Sequence, residues 1–229
     1  MNGIATVAAA AISFVGSHFV LSHPLRRPLV ARIGETGFSI LYSVVAIATL
    51  GWLSKAAQAA PATDFLWPVG DGIWALATVL MLVASVLLMG SLIGNPALPG
   101  PAGALPEQAR GVFAITRHPM MWSFALWGFC HILVYPQAAT IVVALAIIVL
   151  ALVGAALQDR KKERLQPERW PTWEARTSFW PLAAVASGRA QLTGLKPHTW
   201  LGGVVVWLAA TWAHIPLAGW PAGIWRWIG

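Results

Sequence analysis

Six long apolar stretches, separated by polar loops, restrict this chain of 229 residues to very few folds. A helix that crosses the hydrocarbon core of a bilayer needs roughly 20 apolar residues, and fewer where the bilayer thins. The stretches cover about Ile4–Leu21, Gly37–Leu53, Ile73–Ile93, Met120–Tyr135, Ala138–Leu157 and Trp200–Leu217. Only 10% of the residues are charged, against about a quarter in soluble domains. The sequence therefore predicts an all-α protein, a polytopic bundle of about six transmembrane helices.

The basic residues indicate how this bundle is oriented. With the N-terminus outside, thirteen of the fifteen Lys and Arg residues fall in inner loops, whereas Lys55 and Arg226 fall outside. Cytoplasmic loops are enriched in Lys and Arg, so both termini are predicted on the outer side. A pI near 10.5 is also typical of proteins that bind nucleic acid. Here the basic residues lie in loops between apolar stretches, as membrane topology requires, which argues against a nucleic-acid partner. The predicted location is the cell inner membrane, as a multi-pass protein in contact with the lipid bilayer.

We treat residues 1–229 as a single transmembrane domain with a polar inner segment at about 158–198. That segment opens with the charged run Asp159–Arg164 and then carries four large aromatic residues, Trp170, Trp173, Phe179 and Trp180. Basic and aromatic residues together predict an amphipathic segment on an anionic membrane face. A lid over an inner site is the alternative. The loop at 95–115, interrupted by Asn95-Pro96 and Pro99-Gly100-Pro101, carries no recognisable chemistry.

Two histidines, His18 and His131, lie inside apolar stretches, where an unpaired imidazole is costly. The other four, His23, His118, His198 and His214, lie near segment ends, where water or phosphate can reach the ring. Each inner histidine could simply hydrogen-bond a backbone carbonyl of a neighbouring helix. Two imidazoles on different helices can instead ligate a haem iron. Because the single cysteine, Cys130, forms no CxxC or CxxCH motif, any haem would be held non-covalently.

The tripeptide Arg117-His118-Pro119 is typical of the start of a membrane helix. Pro119 suits the first helical turn, where its missing N–H would have no partner anyway. Arg117 can lie among lipid headgroups while the helix enters the hydrocarbon. We expect its guanidinium to bind a carboxylate, a lipid phosphate or a haem propionate at the inner interface.

Several of these residues together resemble the NnrU family of integral membrane proteins. The similar stretches are Phe14–His18 with Arg26, Gly34-Glu35, Tyr42-Ser43 with Ala46, and Thr116–Pro119 with Trp127 and His131. The pattern also looks like the related membrane-bound 15-cis-zeta-carotene isomerases of plants, to whose C-terminal part Asp159-Arg160 and Thr177–Pro181 are similar. The first resemblance implies a role in denitrification or nitrogen-oxide metabolism, with nitrogen-oxide reductase machinery as a partner. The second implies haem b and an isomerase-like reaction on a hydrophobic small molecule.

The resemblance to the isomerases also implies specific site residues. It makes His18 and His131 the axial ligands of the haem iron, and we add Arg117 and His118 as further cofactor-binding residues. The chain departs from the isomerase pattern where that has a cysteine, because Gly128 stands there and Cys130 adjoins His131 instead. Adjacent helical residues point about 100° apart, so an exchange of ligands between the two is not implied.

Other classes of protein fit parts of the sequence. Isoprenylcysteine carboxyl methyltransferases share the Arg-His-Pro entry and bind S-adenosylmethionine, and Glu163 and Glu174 are candidates for their later acidic residues. The tyrosine and glycine that follow Arg-His-Pro in those enzymes are missing here. A non-enzymatic haem protein for assembly or electron transfer is the third class.

Depth in the membrane also leaves a second ligand pair open, because helical rise places His131 level with His214 rather than with His18.

Overall fold

The computed structural model describes residues 3–98 and 105–228, and these residues form ten α-helices and no β-strand. The helices are α1 (Gly3–Ser22), α2 (Arg26–Gln58), α3 (Asp71–Ser91), α4 (Val112–Ile115), α5 (Pro119–Val134), α6 (Ala138–Leu165), α7 (Trp170–Arg176), α8 (Ala183–Ala186), α9 (Pro197–Ala218) and α10 (Trp225–Ile228). Five of them, α1, α2, α3, α6 and α9, are long and apolar enough to cross a membrane. The all-α transmembrane prediction is thereby confirmed. Part of the 95–115 loop, including Pro99-Gly100-Pro101, lies outside the described residues.

The fourth predicted stretch, Met120–Tyr135, corresponds to α5, which is the shortest of the six helices that match predicted stretches. At 16 residues, α5 is about 24 Å long, which is less than the thickness of an average hydrocarbon core. The second predicted segment lies within a longer helix that starts before it. Gly34, with φ 72° and ψ 172°, interrupts α2 and separates a basic first part from the apolar part.

The chain divides into two compact units, and the first contains residues 3–69 and 131–150. Its core joins α1 to the end of α2 and to the first half of α6. The buried members are Val7, Ala10, Ala11, Phe14, Leu53, Ala56 and Ala146. Small residues dominate this list, so the helices pack closely, as is usual between helices in lipid.

One end of the first unit is fixed by the segment after α2. A side chain at Gly3 would collide with Pro61, so the start of α1 lies against this segment. The Leu66 amide donates to the Pro136 carbonyl (3.1 Å), and the Trp67 indole donates to the Leu133 carbonyl (3.1 Å). The start of α1 and the turn between α5 and α6 therefore lie at the same end of this unit.

The second unit contains residues 70–130 and 151–228, and its long helices α3 and α9 run antiparallel. A Cβ added to Gly203 would lie only 2.8 Å from the Cα of Val86, and one added to Gly90 would approach Val112 and Thr199. Contact this close between helix backbones is possible only because these positions carry no side chain. The close approach of α9 to α3 is therefore made at Gly203.

The polar segment at 158–198 folds partly on itself. It comprises the charged end of α6, the short helices α7 and α8, and the chain between them. Trp170 and Trp173, which the sequence analysis assigned to an interface-seeking surface, are fully buried here, so that assignment is wrong for these two. They pack in a core with Ala97, Ala109, Ala114, Ala184 and Ala190. Trp180, by contrast, is 62% exposed.

Candidate functional site

The basic side chain before α5 is held by two carboxylates of the chain itself. Arg117 donates from Nε (2.8 Å) and from Nη2 (2.7 Å) to Oδ2 of Asp159, near the end of α6. Its Nη2 also lies 3.2 Å from Oε1 of Glu174 on α7. The side chains of Arg117 and Asp159 are mostly buried, and charge-assisted bonds of this kind are stronger than neutral ones. The carboxylate expected beside Arg117 is thus supplied by the protein.

His118 occupies the other oxygen of the same carboxylate. Its Nε2 lies 2.7 Å from Oδ1 of Asp159, and because an ionised carboxylate only accepts, Nε2 donates. The ring is 2% exposed, and its edge meets the ring of Phe179. Nδ1 is buried and has no hydrogen-bond partner among the residues that the structure describes. A histidine whose one nitrogen is fixed by an aspartate presents the other nitrogen with a defined orientation.

Backbone bonds attach residues Ser178–Leu182, which we call the strap, to the residues around Arg117. Each bond joins the strap to the chain between Ile115 and Trp122; three are donated to carbonyls of the strap, and one is donated by the strap. They are Arg117 N to Ser178 O (2.8 Å), Thr116 Oγ1 to Phe179 O (2.8 Å), Trp122 Nε1 to Phe179 O (2.9 Å) and Leu182 N to Ile115 O (2.7 Å). Cation–π contact adds to them, with the Arg117 guanidinium 6.0 Å from the centre of the Phe179 ring. We call Arg117, His118, Asp159 and Glu174 the ion network.

Glu174 is the outermost member of the ion network and has a perturbed pKa. Partial burial raises the pKa of its carboxyl; Arg117 opposes the rise, whereas Asp159 and Glu163 add to it. The two acidic residues that the sequence suggested as a pair are therefore neighbours at one site.

His18 lies near the end of α1 in the first unit. Its Nδ1 is 2.7 Å from the carbonyl oxygen of Phe14, and its ring meets Tyr42 edge-on at 5.4 Å between centroids. The carbonyl can only accept, so Nδ1 carries the proton and Nε2 keeps its lone pair in the neutral ring. A histidine in this tautomer can ligate a metal through Nε2.

His131 lies in the last turn of α5, in the same unit as His18. It is five residues from Pro136, about 8 Å along the helix, whereas His18 is fifteen residues from Gly3, about 22 Å. The two backbones therefore lie at different depths, measured from the end where Gly3 and Pro136 lie. His214, in the second unit, makes the same bond as His18, with Nδ1 2.8 Å from the Ala210 carbonyl.

The structure thus brings Arg117 and His118 together with two carboxylates, and it puts His18 and His131 in one unit at different depths. Asp159 is the residue that sequence reasoning missed, because it looked like the polar end of a membrane helix. One signal could have found it: the chain has only eight acidic residues, so a buried Arg-His pair has few candidate partners. Within the described ranges, no group of three or more His, Cys, Asp and Glu side chains could hold a metal ion.

The fold and this site define a polytopic α-helical membrane protein with a mostly buried Arg–His–Asp–Glu network in its second unit. The family model described as NnrU protein matches residues 6–222, so the chain belongs to the NnrU family. It is also similar to the chloroplastic 15-cis-zeta-carotene isomerase of Zea mays, with 32% identity over 82 residues. That stretch is 36% of this chain and 22% of the isomerase, so the chain spans only about a fifth of that relative. No solved structure matches.

Proposed function

We propose that this NnrU protein binds haem b within the membrane and uses it in an isomerase-like reaction on a hydrophobic molecule. The observation that supports the proposal is the tautomer of His18, which is set by the hydrogen bond of its Nδ1. A proton held on Nδ1 by the Phe14 carbonyl leaves the Nε2 lone pair directed away from the helix backbone. When bound, haem supplies an iron centre that can change its redox state and ligand set.

His131 is the second ligand in this proposal. In a helix every Cα–Cβ bond tilts towards the N-terminus. The start of α1 and the end of α5 lie at the same end of the first unit, so the last turn of α5, which belongs to this unit, runs opposite to α1. The side chain of His18 therefore leans towards the depth of His131, and that of His131 leans towards the depth of His18. This reduces the difference in depth between the two imidazoles, which are the residues that would hold the haem.

The ion network has a separate role in this proposal. Nε and Nη2 of Arg117 are engaged by the carboxylates of Asp159 and Glu174, and Nε2 of His118 is engaged by Asp159. We infer that these residues act by fixing the start of α5, the helix whose last turn carries His131. In the neutral ring with its proton on Nε2, Nδ1 of His118 is an acceptor, so it can contact a cofactor only through a donor group of that cofactor.

The test is the absorption spectrum of purified protein reconstituted with haem b. We expect a Soret band and sharp reduced α and β bands, typical of a six-coordinate low-spin iron. His18→Ala and His131→Ala should each open one coordination position, shift the spectrum towards high spin and lower haem retention. His23→Ala and His198→Ala are matched controls near the helix ends, and both should leave the spectrum unchanged.

Several outcomes contradict the proposal in different ways. If His214→Ala abolishes the low-spin spectrum while His18→Ala leaves it intact, the ligands are His131 and His214, as their depth in the membrane suggests, and the proposed pair is wrong. A colourless protein that binds S-adenosylmethionine would favour the methyltransferase class. Haem binding without conversion of any polyene, together with a growth defect under denitrifying conditions in a deletion strain, would favour a nitrogen-oxide role.

A further inference from the structure

The strap exposes two large apolar side chains although its backbone is firmly attached on the other side. Trp180 is 62% exposed and Leu182 is 47% exposed. Between them and the protein core, the carbonyls of Ser178 and Phe179 accept bonds from Arg117, Thr116 and Trp122. The strap is therefore held in place, so that its exposed apolar residues are presented in a fixed position.

The exposed residue Leu182 also has an unusual backbone conformation. Its φ of 64° and ψ of −3° lie in the left-handed region, and it is the only non-glycine residue with positive φ in the described part of the chain. A leucine is strained there because its Cβ crowds the backbone. This strained residue is also 47% exposed, so little burial within the protein offsets the strain. An apolar environment outside the chain would provide that burial.

The charges of the surrounding segment indicate what that environment is. Residues 158–198 contain eight Lys or Arg and four Asp or Glu, a net charge of +4. Two of the four acids, Asp159 and Glu174, are already paired with Arg117. Arg160, Arg189 and Lys196 are exposed. An exposed positive surface of this kind is attracted to a leaflet that contains anionic lipids.

The strap also lies where a membrane helix begins. The Trp180 ring packs against Trp122 with 5.5 Å between ring centres, and Trp122 is in the first turn of α5. Tryptophan is enriched at this level, because its ring is apolar while its N–H prefers the wet headgroup region. We propose that Trp180 and Leu182 insert into the headgroup region of a leaflet rich in anionic phospholipids. The strap thereby anchors the 158–198 segment to the membrane surface.

The experiment measures the depth of residue 180 in lipid nanodiscs, which leave both membrane faces open to solution. The only native cysteine, Cys130, is buried, and Cys130→Ala provides a background free of thiols. Trp180→Cys carries an environment-sensitive fluorophore, and Thr172→Cys, on the exposed side of α7, is the matched control. The nanodiscs contain either equal parts of phosphatidylglycerol and phosphatidylcholine or phosphatidylcholine alone. Iodide quenches labels in water, and spin-labelled lipids quench labels at headgroup depth.

In the anionic nanodiscs we expect the label at 180 to be several-fold less accessible to iodide than the label at 172. It should also be quenched by the spin-labelled lipids, and high salt or pure phosphatidylcholine should reduce that quenching. Equal iodide accessibility at the two positions in anionic nanodiscs would overturn the proposal. Protection of residue 180 that appears only with two copies per nanodisc would assign the strap to a contact between copies and would overturn it as well.

A second variant guards against an effect of the label itself. Leu182→Ser removes one proposed anchor and leaves Trp180, the ion network and the backbone bond from residue 182 in place. With the label introduced by Ser187→Cys, just after α8, we expect this change to raise iodide accessibility in anionic nanodiscs and to have no effect in detergent. An increase of the same size in both media would indicate local unfolding and would contradict membrane insertion.

Discussion

Replacing Asp159 by asparagine should be among the most destabilising single changes in this chain. The carboxylate accepts two bonds from Arg117 on Oδ2 and one from His118 on Oδ1, and it is 5% exposed. Asparagine has the same shape but only one accepting oxygen, so its NH₂ group must face a donor of Arg117 or His118. Loss of one member of a buried ion pair costs about 3–5 kcal/mol, because the remaining charge is left without compensation.

The assay is thermal unfolding of the detergent-solubilised protein. For a chain of this length, about 1 kcal/mol corresponds to about 2–4 °C in Tm, so Asp159→Asn should lower Tm by about 6–20 °C. The matched control is Asp71→Asn, whose carboxylate pairs with Arg226 at 3.1 Å but is 74% exposed. Exposed pairs contribute about 0–1 kcal/mol, so the control should lower Tm by at most about 4 °C. Equal losses for the two variants would refute a stabilising role for the ion network.

Three further changes test other parts of the structure. Gly203→Ala places a methyl group against the Val86 backbone and should cost about 1–3 kcal/mol in unfolding free energy. The methyl of Gly202→Ala meets only the flexible Met89 side chain and should cost less. Equal Tm values for the two variants would contradict the α3–α9 packing. Gly34→Ala should destabilise because of its positive φ, whereas Gly51→Ala, in an open helical position, should stabilise by up to about 1 kcal/mol. Glu174 has a raised folded pKa, so its contribution to stability is present below its ordinary pKa and is lost as pH rises through the raised value. The Tm of Glu174→Gln relative to wild type should therefore increase with pH over that range, and a constant difference would show that the perturbed pKa belongs elsewhere.

The helices could be predicted from the sequence because the requirement for apolar length in a bilayer is local. Each of the six predicted stretches lies within, or ends within two residues of, a helix of the structure. The apolar stretch at Gly37–Leu53 covers only part of α2, because the basic residues before Gly34 are helical too. Polarity marks the edge of the hydrocarbon, which is a different boundary from the end of a helix.

The ion network was predictable only in part, for a physical reason. Arg117 and His118 are adjacent and visibly demand an anion, but Asp159 is 41 residues from His118 and comes from the charged end of another helix. Pairing across that separation depends on how α5 and α6 pack, which no local pattern encodes. The burial of Trp170 and Trp173 was missed for the same reason, since their core is assembled from alanines of distant segments.

The central claim, that the chain holds haem through His18, is tested most directly by haem content. The measurement is the pyridine haemochrome absorbance per chain, on protein expressed with excess haem precursor and purified in mild detergent. We expect about one haem b per chain for wild type and a large loss for His18→Ala, because this change removes the ligand whose Nδ1 is fixed by the Phe14 carbonyl. Wild-type protein without haem under these conditions, or His18→Ala with wild-type content and spectrum, would contradict the claim.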